Sequence, residues 1–399
     1  MKSRLLVLGA SRYQIPVIET ALTMGCEVVT TDNVPGNPGH KLAQFNFSVD
    51  TTDREGVLDL ALRMGIDGIV ASCTDVAVPT AAFVAERMGF PGPSFEAAQM
   101  LCDKAAFRQW QHQQHLPAPD WHSLQRDAVW NQQAWGGTEW IVKPTRSSGS
   151  KGVRRIRGKQ DFDLFFPEAI RVSLASEAVL ERFLPGRQGT AEGLIVGGEI
   201  VFMAATNRMT APSPFVATCG HFLPGDWSAS ECRQIRDALA QIVRGAGLAD
   251  CLFDADFVLS GENVCILEFT PRQGGNSLNR LLGASHGVNL CEWAVNLALG
   301  RPVDASCVRL IQSAAVLILG MESAGKLEYD ESGFQSLKAE SWVAGLEMDY
   351  ERGAELPVFA DGTARLGEAL VVSGERDELA LRCRALLEKL NIRNASHAG

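Results

Sequence analysis

The chain has 399 residues, enough for two or three domains, and a formal net charge of −10 that argues against nucleic acid as its main partner. Apolar residues make up 46% and charged ones 21%, the balance of a soluble globular protein, and no run approaches the roughly 20 apolar residues of a membrane span. Ten cysteines are scattered singly, without a Cys-x-x-Cys pair or zinc spacing, so reduced thiols and a cytoplasmic location are expected.

Leu5-Leu-Val-Leu8 is too short for a signal-peptide core and reads as a buried parallel strand, residues 4–8. After the Gly9-Ala-Ser11 break come a helix over 15–24, stopped by Gly25, and a strand over 27–31 that ends at Asp32. A helix over 54–64, a strand over 68–71 and a helix over 78–88 continue the alternation, which predicts a small parallel sheet wound on both faces. The Gly9 turn is not Gly-x-Gly-x-x-Gly, so Asp32 alone does not make a dinucleotide site. Ser72-Cys-Thr74-Asp75 could reach a cleft, but capping of the next helix by Thr74 or Asp75 is the favoured reading. Pro91-Gly-Pro93 closes this region.

Asp103-Lys104 opens a helix over 105–114, and Trp140-Ile-Val-Lys143-Pro144 is a strand carrying a lysine. The loop Ser147-Ser148-Gly149-Ser150-Lys151-Gly152 follows it. Its small residues let backbone N–H groups close over anionic oxygens, and Lys151 adds charge. No Gly-Lys-Ser/Thr opens a helix there, and 153–156 reads as a strand, so the loop is a hairpin lid, with a plain linker as the alternative. A strand beginning at Ala178 runs through Glu181 to a turn at Pro185-Gly186. Glu192, on a strand over 190–196 paired through Gly197-Gly198 with 200–206, is either a solvated strand acid or a cleft residue. Arg208 and His221 are read as loop residues before a helix over 229–246. They suit a substrate carboxylate or amine, or else are a surface arginine and a locally bonded histidine.

Asp256-Phe-Val-Leu and Val264-Cys-Ile-Leu-Glu268 flank a Ser260-Gly-Glu-Asn263 turn, a β-hairpin that should bring Asp256 and Glu268 side by side. Neighbouring carboxylates repel unless a cation lies between them, and Mg²⁺ with phosphate oxygens is the natural occupant. A surface hairpin with two exposed acids is the alternative. Arg272 offers a rigid fork to a phosphate or carboxylate. Gly274-Gly275-Asn276 permits close backbone approach near a helix start, suited to a substrate carboxylate. A helix over 290–299, strands over 314–319, 342–346, 365–367 and 369–373, and a helix over 377–390 complete the chain.

The strand lysine with its lid, the acidic hairpin and Glu268-Phe-Thr270-Pro-Arg272 together resemble the ATP-grasp superfamily of carboxylate–amine ligases, over nearly the whole chain. The resemblance implies an α/β fold, α+β in the grasp domain. Its parts are a pre-grasp parallel sheet over 1–93, a two-subdomain grasp domain over 94–302 with its lid at about 117–186, and a small β-rich segment over 303–399. That last segment is similar to the C-terminal part of L-amino-acid ligases and carboxylases.

The resemblance also implies ATP and Mg²⁺, two ions per site, with Mn²⁺ as a substitute. Lys104 and Lys143 would reach the phosphates, under the lid of Ser148, Gly149, Ser150, Lys151 and Gly152. Glu181, Phe183 and Leu184 would meet the adenine through their backbone, and Gln188 replaces the acid that usually binds the ribose. Asp256, Glu268 and Thr270 would hold metal, with Thr270 in place of the usual asparagine. Arg272 and Glu268 would act at the reacting centre, and Glu192, Arg208, His221, Gly274, Gly275 and Asn276 would face the substrates.

The implied partners are a small-molecule carboxylate and an amine, one of them an amino acid, with neither nucleic acid nor membrane; a homodimer is allowed. A substrate carboxylate would be activated as an acylphosphate and captured by the amine. Two alternatives stay open: a carboxylase that activates bicarbonate, and a nucleotide-binding protein without turnover, which the changes at Thr270 and Gln188 permit.

Overall fold

The computed structural model describes residues 2–395. The apolar runs of the first ninety residues form β1 (Arg4–Leu8), β2 (Glu27–Thr31), β3 (Phe45–Phe47) and β4 (Gly68–Ala71), a parallel sheet in the order β3-β2-β1-β4. β1 is apolar from Leu5 to Leu8 because both of its faces are covered there. Leu5 and Val7 enter one core and Leu6 and Leu8 another. Asp32 accepts hydrogen bonds from the backbone N–H groups of Ala10 and Val34 and from Asn37, so its carboxylate holds the loops at this sheet's end.

A second sheet joins β5 (Trp121–Leu124), β6 (Trp140–Pro144), β7 (Arg154–Ile156) and β8 (Ala178–Arg182), antiparallel, in the order β5-β8-β6-β7. Alternation splits its faces. Trp140, Val142, Ala178 and Leu180 pack on Phe162 and Phe166 of the helix Lys159–Val172. Ile141, Lys143 and Glu181 point the other way, into a cleft. That helix has no capping side chain and carries an internal proline, and the reading of the sequence missed it.

The third sheet is built from β9 (Arg187–Val196), β10 (Glu199–Thr210), β11 (Thr218–Leu223), β12 (Cys251–Ser260), β13 (Asn263–Thr270) and three later strands. The remaining strands are β14 (Ser313–Leu319), β15 (Gly325–Glu328), β16 (Val343–Met348), β17 (Glu355–Leu356), β18 (Gly367–Ser373) and β19 (Arg393–Asn394). Its order is β13-β12-β9-β10-β11-β14-β18-β16, and β17-β15-β19 make a small separate sheet. The expected strand over 365–367 is instead the end of a loop, with β18 beginning at Gly367.

Strands of the C-terminal segment therefore extend the grasp sheet through the β11–β14 pair. The back of the sheet packs Phe253, Phe257 and Ile266 on the helix Ala229–Gly245, which is opened by a Ser228/Glu231 capping box. Its other face is polar beside the second sheet, and apolar farther along, where Leu194 and Leu252 lie in the core shared with the helices Leu278–His286 and Leu290–Ala298. Among the described residues no helix is long and apolar enough to cross a membrane, and none of the ten cysteines is paired.

Arg208 and His221 lie on β10 and β11, directly opposite one another, and not on loops as expected from their mixed polarity. Polar residues fill these strand positions because Arg208 lines the cleft and pairs with an acid there.

Candidate active site

The front of the second sheet and the polar end of the third enclose a cleft of about 880 Å³, open mouth included. On its floor, Asp256 and Glu268 are direct partners across the β12–β13 hairpin, with a bulge immediately after Asp256 that re-aims the strand. Each carboxylate has its own cation. Lys104 Nζ donates to Glu268 at 2.8 Å, and Arg208 lies 2.8 Å from Asp256, which also accepts from Thr190 Oγ1 at 2.6 Å. Burial alone would raise the Glu268 carboxyl, but Lys104, helped by Lys143 and Arg272, more than offsets it and holds the group at about 2. Lys104 is correspondingly raised: burial pushes it down and Glu268 pulls it up further. It is aimed by its helix, Lys104–Gln113, which Asp103 caps by accepting from the N–H groups of Ala105 and Ala106.

Lys143 reaches Glu181 Oε2 at 2.6 Å, and the other oxygen of Glu181 lies 2.9 Å from Arg108 Nε. Arg108 is fully buried and also donates to the Leu267 carbonyl at 2.5 Å and to Gln111 at 2.7 Å. It is thus a fixed post behind Glu181, which in turn orients the Lys143 ammonium. Burial would raise Glu181, yet Arg108 and Lys143 together hold it below the usual carboxylate range. Nothing in the amphipathic pattern of its helix had marked Arg108.

Ser148, Gly149, Ser150 and Lys151 line the cleft from the lid, and Phe183, Leu184 and Gln188 line it from the strand end opposite. The Phe183 N–H is already bonded to the Glu139 carbonyl at 2.8 Å, and its ring lies 3.8 Å from the Arg155 guanidinium. Gly152 stands outside the lining. A Cβ there would come 2.7 Å from Val172, so glycine lets the lid's end pack on the helix behind it. The tip of the lid is tied at one point, where Gly362 N donates to the Gly149 carbonyl at 2.9 Å and Tyr13 Oη donates to the Gly362 carbonyl at 3.0 Å.

Beyond the first carboxylate row lies a second, in which Asp254 faces Thr270 on one side and Glu192 on the other. Arg272 is not free there. Its guanidinium binds Asp75, through Nε at 3.1 Å and through Nη2, and binds Asp254 through Nη1. Burial would lower the Arg272 pKa, but Asp75 and Asp254 raise it well above its ordinary value. Burial likewise lifts the Asp254 carboxyl, to about 6 against the pull of Arg272. Asp75 therefore serves an ion pair with a residue 197 positions away, and not the cap of the next helix for which Thr74 or Asp75 was favoured. Asp254 was overlooked, although its two-residue spacing from Asp256 places it on the same strand face.

Thr270, Arg272, Glu192, His221, Gly274, Gly275 and Asn276 do not line the 880 Å³ cleft. Gly274 N donates to Glu192 Oε1 at 2.5 Å, and Asn276 and Ser277 take left-handed backbone angles, φ 49° and 57°, before the helix Leu278–His286.

His221 is buried, with Nδ1 3.0 Å from Thr206 Oγ1. Burial, assisted by Arg208, lowers its pKa to about 3. It stays neutral in the folded chain at pH values where the unfolded chain, near about 6.5, binds a proton. On acidification the unfolded state gains that proton first, so stability falls as pH drops from about 6.5 toward about 3. By about pH 5 the loss from this group alone is about 2 kcal/mol. His221→Asn should shrink the fall in urea midpoint between about pH 7.5 and about pH 5. An equal fall in the variant would show that His221 does not titrate this way.

A model of the ATP-grasp domain matches residues 137–279. The chain is 25% identical over 336 residues to the uncharacterized protein y4rH of Sinorhizobium fredii, covering 82% of this chain and 69% of that one. It is 24% identical over 399 residues to the formate-dependent phosphoribosylglycinamide formyltransferase of Burkholderia vietnamiensis, covering 96% and 93% respectively. The crystal structure of the L-amino acid ligase of Bacillus licheniformis shares the fold, with a TM-score of 0.81 over 98% of each chain at 19% identity. The matched segment runs from just before the Lys143 strand to the helix after Arg272. Residues 137–279 thus match the domain that defines the ATP-grasp superfamily, and the whole chain shares the fold of the L-amino acid ligase.

Proposed function

We propose that the chain joins a carboxylate to an amine at the expense of ATP, making an amide through an acylphosphate, with an amino acid as one substrate. The observation that carries this reading is the charge layout of the cleft. Ammonium groups of Lys104, Lys143 and Lys151 and a directly opposed carboxylate pair line one cavity, between two sheets. That layout matches a metal-bound triphosphate: ammonium groups for its oxygens, hard carboxylate ligands for its cation. Among the described residues no cluster of three or more acids, histidines or cysteines could hold a metal by itself. Two carboxylates leave most of an octahedral Mg²⁺ shell to phosphate oxygens and water, which suits an ion that enters with the nucleotide.

Asp256 and Glu268 would hold Mg²⁺, which supplies neutralisation of the phosphates when bound. Thr270, one pleat beyond Glu268, would be a neutral and shorter ligand for a second ion than the usual asparagine. Lys104 and Arg208 are the cations that the two acids release, and both line the same cleft, where they can turn to phosphate or substrate carboxylate. Lys143, held by Glu181, would reach a phosphate. Serine and glycine N–H groups of 148–150, with Lys151, close from above and exclude water. Phe183, Leu184 and the Glu181 backbone would wall the base, and Gln188 would bond the ribose hydroxyls.

Arg272 would meet charge at the acyl centre by exchanging one of its two acids for it. The carboxylate substrate would lie toward Gly275 and Asn276, and His221 supports the floor from behind. The division proposed is 1–93, 94–302 and 303–399, and the ten unpaired cysteines fit a cytoplasmic setting.

The relatives' names place different carboxylates in this superfamily, formate in one and an L-amino acid in another. Phosphate release from Mg·ATP separates the readings. The ligase reading expects release only with an amino acid and a second amine together, with the amide seen by mass spectrometry. Release with formate or bicarbonate as the sole carboxylate would replace it by that acid's chemistry, and no release with any of these would leave a nucleotide-binding protein.

A further inference from the structure

Glu192 is the least accessible acid of the site, at 0% exposure. It stands directly across from Asp254 in the β9–β12 ladder. One of its oxygens accepts from Gly274 N–H, and glycine is required there, since a Cβ on Gly274 would lie 2.0 Å from that oxygen. Among the described residues the other oxygen, Oε2, finds no donor, and neither does Asp254 Oδ1.

Among the described residues, the nearby cations are already engaged. Arg272 is committed to Asp75 and to the other oxygen of Asp254, Arg208 to Asp256, and Lys104 to Glu268. Two facing buried carboxylate oxygens without a donor are a costly arrangement that native proteins avoid. A single proton removes the conflict, because it lets one oxygen donate to the other.

We propose that Glu192 is a neutral carboxylic acid whose Oε2–H donates to Asp254 Oδ1, a positioning residue for Arg272 and the Gly274 loop rather than a charged contact for substrate. It completes a chain of contacts from Asp75 in the first domain through Arg272, Asp254 and Glu192 to Gly274. Burial and the Asp254 charge both push the Glu192 pKa well up, in the same direction. Arg272 is thereby held from one side by an acid of the first domain and from the other by an acid fixed on its far oxygen. Glutamine would do the same work, donating to Asp254 through its amide N–H and accepting from Gly274 through its carbonyl. Alanine would leave Asp254 Oδ1 and Gly274 N–H both unpaired.

The test compares Glu192→Gln with Glu192→Ala, and rests on the ligase reading for its kinetic readout alone. E192Q should keep kcat and each KM within about threefold of wild type, whereas E192A should lose about 30-fold or more in kcat. Affinity for Mg·ADP should be unchanged in both, since Glu192 does not line the cleft. Infrared spectra at about pH 7 should show the carbonyl stretch of a buried neutral carboxylic acid in wild type and lose it in E192Q. E192Q as damaged as E192A, a rise confined to the KM of the amine, or an unchanged infrared band would each overturn the proposal. If E192A does not fold, wild type against E192Q decides. If wild type shows no ligase turnover, the ligase reading fails, and the infrared comparison still settles the state of Glu192.

Discussion

Glu268→Gln should abolish turnover, by at least about 1,000-fold, the scale of several kcal/mol of lost charge stabilisation at a metal-assisted centre, while the chain stays folded. Glutamine keeps the shape of the side chain and removes the one charge that Asp256 cannot supply from across the hairpin. It also leaves Lys104 facing an amide in place of a carboxylate 2.8 Å away. Because Glu268 is about a third exposed, screening keeps the stability cost small, about 1 kcal/mol.

The sign of its pH dependence is set by the depressed carboxyl. The stabilising pair is fully present above the unfolded value, about 4.3, and is lost as pH falls through about 2. Wild type and E268Q should therefore differ in melting temperature near neutrality and converge in acid. A folded E268Q enzyme with wild-type turnover would move the metal away from this hairpin, and the reaction with it.

The carboxylate pair was legible because a hairpin's register follows from its turn, and a period of two fixes which side chains share a face. The same rule applied to Asp254 would have found it, since Asp254 and Asp256 are two residues apart on β12. Apart from the short β3, which no apolar run announces, the strands and helices of the first ninety residues were readable in near-final bounds, because Leu5–Leu8 and β4 are apolar runs and the helices 54–64 and 78–88 each end at a left-handed glycine, Gly65 and Gly89.

Long-range partners were not legible. Arg272 reads in sequence as a free fork, yet its acids lie 197 and 18 residues away, and only the fold brings them together. Arg108 is silent for the same reason: a buried arginine in a helix looks solvated until the strand carrying Glu181 is placed against it. Arg208 and His221 were taken for loop residues because strand assignment from polarity fails where one face of a sheet lines a cleft rather than a core or bulk solvent. The continuity of the C-terminal strands with the grasp sheet depends on the β11–β14 pairing, for which no local turn gives a signal.

The nucleotide site itself is tested most directly at Lys143, by titration calorimetry of a non-hydrolysable ATP analogue with Mg²⁺ into wild type and Lys143→Ala. Lys143 is mostly buried, on the cleft side of β6, and its ammonium is fixed by Glu181 at 2.6 Å. Removing it takes one charge-assisted phosphate contact from the ligand, worth about 1.5–3 kcal/mol, or about 10- to 100-fold in affinity. The fold should survive the change, because the Arg108 guanidinium stays 2.9 Å from Glu181 as its counter-charge. The expected result is a folded variant with wild-type circular dichroism and a Kd raised by that factor. A folded K143A protein that binds the analogue as tightly as wild type would contradict the placement of the triphosphate between the two sheets.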